Sequence, residues 1–218
     1  MNINLFYNYY NCNNIERQQE IDYCLKSLIE TPEITNIYLW ISEDDISIFN
    51  IKFKDNVGKI IPIINNNRPT FYNAIYDVLK IYSDKDDINI LINSDCFFGK
   101  NTNWNYIYNI NKNLSLSISR YEILNINPFT ISKLPVNITQ CDSQDCWIFK
   151  GIIENLDCNF CFGHPGCDNR ITYELGQYTN VINNAKDIQL LHYHLSATRN
   201  YTEKERVYGR YKWLNVIY

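Results

Sequence analysis

Apolar residues along the chain come in short blocks separated by acidic and asparagine-rich turns, some at helical spacing and some as short alternating or near-continuous runs. Residues 4–10 predict a first strand buried on both faces. Asn13 or Asn14 then caps a helix over 15–30, where Ile21, Cys24, Leu25, Leu28 and Ile29 fall on one stripe and Pro32 ends it. Residues 34–41 predict a second strand, followed by the polar break Ser42-Glu43-Asp44-Asp45. The stretch 46–53 stays open between a short strand and an irregular excursion. Past Gly58, residues 59–64 predict a further strand. After the Asn65-Asn66-Asn67 turn, Pro69 introduces a helix over 71–82 with Phe71, Ile75, Val78, Leu79 and Tyr82 as its buried stripe. Residues 88–92 make a short central strand in which Asn89 is the one polar interruption.

In the second half, 114–119 alternates as a strand and Arg120-Tyr121-Glu122 follows it, while Asn127-Pro128 and Leu134-Pro135 mark loops. A short strand over 146–149 comes just after Asp142-Ser143-Gln144-Asp145. The run from Gly163 to Asn169 enters a helix over 170–178. Residues 188–196 predict a late strand with Ile188, Leu190, His192 and His194 on one face. Strands joined through helical crossovers predict an α/β fold, a mostly parallel central sheet flanked by helices. No repeat, low-complexity linker or composition break divides the chain, so a single domain over 1–218 is expected, with about 99–218 as an elaboration on about 1–98.

Composition narrows the classes. A chain of 218 residues that is 45% hydrophobic and 15% aromatic folds around a real core. Its net charge of -4 and lack of a long basic run argue against a nucleic-acid partner. The locally basic stretch 199–212 suits one phosphate group and no more. No apolar run reaches the roughly 20 residues of a membrane span, and no secretory signal opens the chain, so a cytoplasmic protein with reduced cysteines is expected. Neither Gly-x-Gly-x-x-Gly nor a phosphate loop ending in Lys-Ser or Lys-Thr occurs, which removes the ordinary dinucleotide and P-loop domains.

Three clusters carry candidate chemistry. Asn93-x-Asp95 arrives at the carboxyl end of the central strand, where ligands bind in open α/β sheets. Asp142 and Asp145, with Asp168, form an acidic set at element ends. His192 and His194, two of only three histidines, point the same way. A carboxylate and imidazoles can hold a divalent ion and leave positions open for phosphate oxygens. The plainer alternatives are a helix cap for Asp168 and one packed and one exposed histidine. A rival site is structural zinc at Cys158-x-x-Cys161 with Cys141, Cys146, Cys167 and His164 near in sequence, against which the flanking Phe160 and Phe162 favour core packing.

The runs Ser143 to Lys150, Gly163-x-Pro165-Gly166-Cys167-Asp168-Asn169-Arg170-Ile171 and His192-x-His194-x-Ser196-x-x-Arg199-x-Tyr201 resemble small GT-A-type glycosyltransferase domains of bacteria and large DNA viruses, among them the N-terminal domain of a chlorella-virus transferase. Asn93-Ser94-Asp95 resembles that family's Asp-x-Asp motif, with Asn93 in place of the first acid. The resemblance implies a GT-A-like, Rossmann-related domain with a nucleotide-sugar-binding first half and an acceptor-side second half. It implies Asp95 with His192 or His194 as ligands of Mn2+ or Mg2+, and Asp168 as catalytic base of an inverting transfer. Donor contacts would come from Asn93, Asp95, Arg68 and Arg199, and acceptor contacts from Asp145, Trp147 and Asn169, with Tyr121 and Tyr173 as further stacking candidates.

Glycosyl transfer from a UDP- or GDP-sugar to a glycan or other hydroxyl acceptor needs a neutralised diphosphate leaving group and a group that takes the acceptor proton. Two alternatives stand beside it. One is metal-dependent nucleotidyl or phosphoryl transfer using Asp95, Asp145 and the histidines. The other is an inactive sugar-nucleotide-binding or scaffold domain, which Asn93 favours.

Overall fold

The computed structural model describes residues 1–53, 57–133, 143–198 and 201–217. Eleven strands are present among them: β1 (Ile3–Asn8), β2 (Asn36–Ile41), β3 (Ile60–Ile64), β4 (Ile88–Ile92), β5 (Cys96–Phe98), β6 (Leu114–Ser119), β7 (Tyr121–Ile126), β8 (Phe129–Ile131), β9 (Gln144–Lys150), β10 (Asn180–Ile182) and β11 (Leu190–His192). The main helices are α1 (Ile15–Glu30), α2 (Glu43–Phe53), a π-helix over Asn73–Leu79 that runs on into α3 (Lys80–Tyr82), α4 (Trp104–Tyr108) and α5 (Cys167–Leu175).

Seven strands form the central sheet in the order β10-β6-β9-β4-β1-β2-β3. β1 pairs in parallel with both β2 and β4, and β2 pairs in parallel with β3. β9 runs antiparallel between β4 and β6, and β10 lies parallel to β6, so β9 is the one strand turned against the rest. The sheet is therefore mixed but mostly parallel, as the crossover pattern predicts. A second sheet, β5-β11-β7-β8, packs beside it.

Period-two alternation sends successive residues of the central strands to opposite cores. Leu5 and Tyr7 of β1 join Ile37, Leu39, Ile88 and Ile90 under Ile21, Cys24, Leu25 and Leu28 of α1. Phe6 joins Tyr38, Leu91, Trp147 and Phe149 against Phe71, Ile75, Val78 and Leu79 and against Ile171 and Leu175 of α5. Each such fully buried aliphatic residue contributes about 1.5–3 kcal/mol relative to exposure. The buried polar residues at the opposite end from the site satisfy one another: Asn36 Nδ2 donates to Asn4 Oδ1 at 2.8 Å, Asn4 Nδ2 donates to Asp87 Oδ2 at 3.2 Å, and Asn89 Nδ2 donates to the Gly151 carbonyl at 2.7 Å.

The structure corrects several expectations. Residues 46–53 belong to the helix α2: Ser42 Oγ accepts from Asp45 N at 3.1 Å, acidic side chains fill the first turn, and Phe49 and Phe53 bury one turn apart. Tyr82 leaves the predicted stripe and lies half exposed, its ring stacked on Tyr38 at 5.2 Å. The late strand contracts to β11 and lies in the second sheet, so His194 sits beyond its end. Cys146, Cys158 and Cys167 are packed singly as small apolar side chains, and among the described residues no cysteine group gathers that could hold zinc; Cys141 lies outside them. Leu134-Pro135 and Asp142 also fall outside the described residues. Among the described residues no helix is long and apolar enough to cross a membrane.

Candidate active site

The site lies at the carboxyl ends of the parallel strands. β4 ends at Ile92, and the turn Asn93-Ser94-Asp95 is closed by Cys96 N donating to the Asn93 carbonyl at 3.1 Å. The turn is tied to the end of β1 twice, by Ser94 Oγ donating to the Asn8 carbonyl at 2.6 Å and by a short bond from the Tyr7 hydroxyl to the Ser94 carbonyl. It therefore projects Asp95 from a fixed base into a cleft of about 430 Å³.

Three nitrogens converge on one carboxylate oxygen, Asp95 Oδ2. Arg17 Nη2 of α1 lies at 2.7 Å, His192 Nε2 of β11 at 3.2 Å and His194 Nδ1 at 3.8 Å. Burial alone would push this carboxyl up, but His192 and Arg17 outweigh it and hold Asp95 well below the usual carboxylate range. His192 is gripped from its other side by Glu122 of β7, whose Oε2 lies 2.6 Å from Nδ1. Burial opposes the charged imidazole, yet Asp95 and Glu122 raise it to about 9. His194 behaves differently: burial, then Arg17, lower its pKa, so the ring is neutral at pH 7. Its Nε2 lies 2.8 Å from the Thr198 carbonyl, which can only accept, so Nε2 carries the proton and Nδ1 presents its lone pair toward Asp95.

These residues fit a divalent cation. The ligand atoms of Asp95, His192 and His194 lie within 4.8 Å of one another, and the far nitrogen of each imidazole is oriented by an acceptor, as metal-bound histidines require. Two imidazoles and one carboxylate leave coordination positions open for a ligand's oxygens.

Beside this cluster stands a second one. Asp145, at the start of β9, accepts from Asn93 Nδ2 at 2.5 Å through Oδ1 and from Arg120 Nη1 at 2.5 Å through Oδ2. Arg120 Nε in turn donates to Glu122 Oε1 at 2.6 Å, joining Asp145 to the His192 side of the site. Asn93 thus spends its amide on Asp145, which explains why an acid is not found there: two carboxylates would face each other. Asp168 lies in the first turn of α5, where Gly166 adopts φ 82 just before the helix starts and a side chain would meet the Tyr211 hydroxyl and the Val207 carbonyl. Burial, followed by the charge of Asp145, pushes the Asp168 carboxyl up to about 7. Asp95, Asp145 and Asp168 line the same cleft.

Arg68 is exposed on the cleft wall, where Gly163 (φ 68) leaves room for its guanidinium; a Cβ there would sit 2.8 Å from Nη2. A smaller cleft of about 360 Å³ at the ends of β1 to β3 shares Asn8, Tyr10 and Arg68 with the first. Trp147 does not reach either cleft. It is fully buried, its Nε1 donates to Thr172 Oγ1 at 3.2 Å, and its ring packs edge-on against Phe71, because position 147 of β9 faces the helix layer. Asn169 is likewise buried on α5 away from the cleft lining. Tyr121 donates to the Ala185 carbonyl and Tyr173 lies against Arg170 and Arg210, so neither lines the cleft. Arg199 falls outside the described residues.

Sequence reasoning missed Arg17, Glu20, Arg120 and Glu122 as site residues. A signal existed for the first two. Arg17 and Glu20 fall on the apolar stripe of α1, where charge is costly unless it is paired.

No family model and no curated protein matches the chain. Among solved structures, TarS residues 1–349 of S. aureus in complex with UDP-GlcNAc superposes with a TM-score of 0.57 at 11% identity, over 96% of this chain and 62% of that one. The mannosyltransferase PcManGT of Pyrobaculum calidifontis, in complex with GDP-Man and Mn2+, gives 0.54 at 9% identity, over 91% of this chain and 58% of that one. The 4-diphosphocytidyl-2C-methyl-D-erythritol synthase of Anaerococcus prevotii gives 0.53 at 11% identity, over 94% and 92%. The chain spans about three fifths of the TarS and PcManGT chains and nearly all of the synthase. At these identities the likeness shows the fold alone, and the fold is GT-A-like and Rossmann-related.

Proposed function

We propose that this chain is a glycosyltransferase domain that moves a sugar from a nucleoside-diphosphate sugar to a hydroxyl acceptor, with inversion. The observation that carries the reading is the pairing, in one cleft, of a partly buried carboxyl pushed up to about 7 with an Asp-His-His cluster fit for a divalent ion. Asp95, His192 and His194 would hold Mn2+ or Mg2+, which when bound supplies charge neutralisation for a diphosphate. Asp168 takes the acceptor proton as the acceptor oxygen bonds to the anomeric carbon. The bond from that carbon to the diphosphate breaks with its electron pair leaving on the diphosphate. A carboxyl near 7 suits a base working at neutral pH better than an ordinary aspartate does. Arg68 stands between the two clefts, placed to meet the diphosphate of a donor whose nucleoside occupies the smaller one. Asn93 and Arg120 hold Asp145 in place beside Asp168, where Asp145 contributes to the raised value and Arg120 works against it. A cytoplasmic setting belongs to the same reading.

The synthase fold match keeps nucleotidyl transfer as a second reading, and the two differ in products. Incubation with UDP- and GDP-sugars, Mn2+ and a hydroxyl-acceptor panel should release nucleoside diphosphate together with a glycosylated product, and the Asp95→Ala variant should not bind donor. Release of pyrophosphate from a nucleoside triphosphate, with no sugar transferred, would replace the glycosyltransferase reading by nucleotidyl transfer. Metal-dependent donor binding without turnover on any acceptor would support a binding domain.

A further inference from the structure

Arg17 and Glu20 have no part in the reading above, yet they are among the most buried charges in the molecule, at 5% and 2% exposure. Arg17 comes from the first turn of α1 and lines the larger cleft. Its Nη1 donates to Glu20 Oε2 at 3.0 Å and its Nη2 to Asp95 Oδ2 at 2.7 Å, while its buried Nε has no hydrogen-bond partner among the described residues. Glu20 is itself anchored: Oε1 accepts from Ser196 N at 2.7 Å and Oε2 from Ser196 Oγ at 2.8 Å, two residues beyond His194. The guanidinium is thus held from behind and aimed at the one oxygen that both imidazoles also face.

We propose that Arg17 is a second, transferable cation of the site, competing with a divalent ion for Asp95 Oδ2 and passing to the diphosphate of a bound nucleotide, so that ion and nucleotide bind cooperatively. This rests on the nucleotide-sugar reading. The physical steps are short. An oxygen that accepts a 2.7 Å charge-assisted bond is a poorer ligand, and a guanidinium at that distance repels an incoming dication. Ligation of Asp95 therefore loosens the Arg17 bond. The N–H groups released, with the unspent Nε–H, form the planar fork that matches phosphate oxygens. Coupling of this kind is reciprocal, so a diphosphate that draws Arg17 away from Asp95 strengthens ion binding by the same factor.

The test is calorimetry on the full chain with Mn2+ alone, and with UDP and GDP at saturating Mn2+, for the native protein, Arg17→Gln and Arg17→Lys. Mn2+ alone should bind Arg17→Gln about five- to tenfold tighter than native, while the nucleoside diphosphate in Mn2+ should bind it about tenfold weaker. Arg17→Lys, which keeps the charge without the fork, should fall between. Opposite signs in one variant are what a merely structural residue does not produce. Weaker binding of Mn2+ alone to Arg17→Gln would mean that Arg17 only positions Asp95 and would overturn the proposal, as would an unchanged nucleoside diphosphate affinity. Should melting curves show that Arg17→Gln is not folded, Arg17→Lys carries the same two signs at smaller amplitude. A native chain that binds neither Mn2+ nor nucleotide fails differently, by removing the nucleotide-sugar reading itself.

Discussion

Asp168 is a residue whose environment works against its ordinary charge. Burial and the neighbouring Asp145 raise its carboxyl from 3.8 to about 7, so the folded protein holds a proton there that the unfolded chain releases. Stability from this group is full below about pH 4 and is lost as pH rises through about 7. Asp168→Asn keeps the group neutral at every pH. Its stability advantage over the native protein, read from melting curves, should grow between those two values and level off above, reaching on the order of 1–3 kcal/mol. The same substitution should lower kcat by about 10²- to 10⁴-fold with donor affinity kept, and the native rate should rise with pH along a limb centred near 7. A flat melting difference across that range would show that Asp168 is not held protonated. Asn93 makes the complementary case. Placing an acid at this position with Asn93→Asp would set a carboxylate against Asp145 Oδ1, now 2.5 Å from the Asn93 amide nitrogen. The expected result is a loss of about 1–3 kcal/mol in stability at neutral pH, read by urea unfolding, with no gain in Mn2+ affinity.

At the scale of elements, the site depends on strands that contribute one or two side chains each. β7 matters through alternation: Arg120, just before it, and Glu122 share a side, one reaching Asp145 and the other His192. Glu122→Gln keeps the shape but removes the charge that orients His192, so Mn2+ affinity should fall about tenfold while the fold is retained. An unchanged titration would place His192 outside the ion's ligands. β9 gives the opposite lesson. Trp147 reads in sequence as a sugar-stacking candidate, but its strand buries that position against Phe71 and Thr172. Trp147→Phe should therefore cost about 1–3 kcal/mol of stability and leave acceptor KM unchanged; a raised KM with native stability would return Trp147 to the acceptor site. The stretch 46–53 stays open in sequence between a short strand and an irregular excursion because Ile46, Ile48, Phe49, Ile51 and Phe53 keep no single period, and the helix goes unread there. The Ser42 cap and acidic first turn decide for the helix α2.

For the molecule as a whole, the first half was legible because it is built from local patterns: β1, α1, β2, β3 and β4 each announce themselves by period and by a cap or turn, and a parallel sheet follows from their crossovers. The reversal of β9 and the second sheet were not legible, since strand direction depends on pairing between residues far apart in sequence, such as Ile88 with Lys150 and Leu116 with Ile148. Asp95, Asp168, His192 and His194 could be singled out because they end or enter recognisable elements. The ion pairs that bind them together were hidden, because Arg17, Glu20, Arg120 and Glu122 look like ordinary helix or strand-end charges until α1, β7 and β11 meet. That assembly leaves Arg68 as an exposed cation where the two clefts adjoin. On the proposed reading, a cation so placed meets the diphosphate of a nucleotide spanning both clefts but not the nucleoside alone. Arg68→Ala should weaken UDP or GDP binding by about tenfold in Mn2+ and leave the weak affinity for uridine or guanosine unchanged, measured by calorimetry in one buffer. Equal losses for nucleotide and nucleoside would put Arg68 against the base instead. No loss for either would mean that the nucleotide does not cross between the clefts, and the smaller cleft would drop out of the donor site.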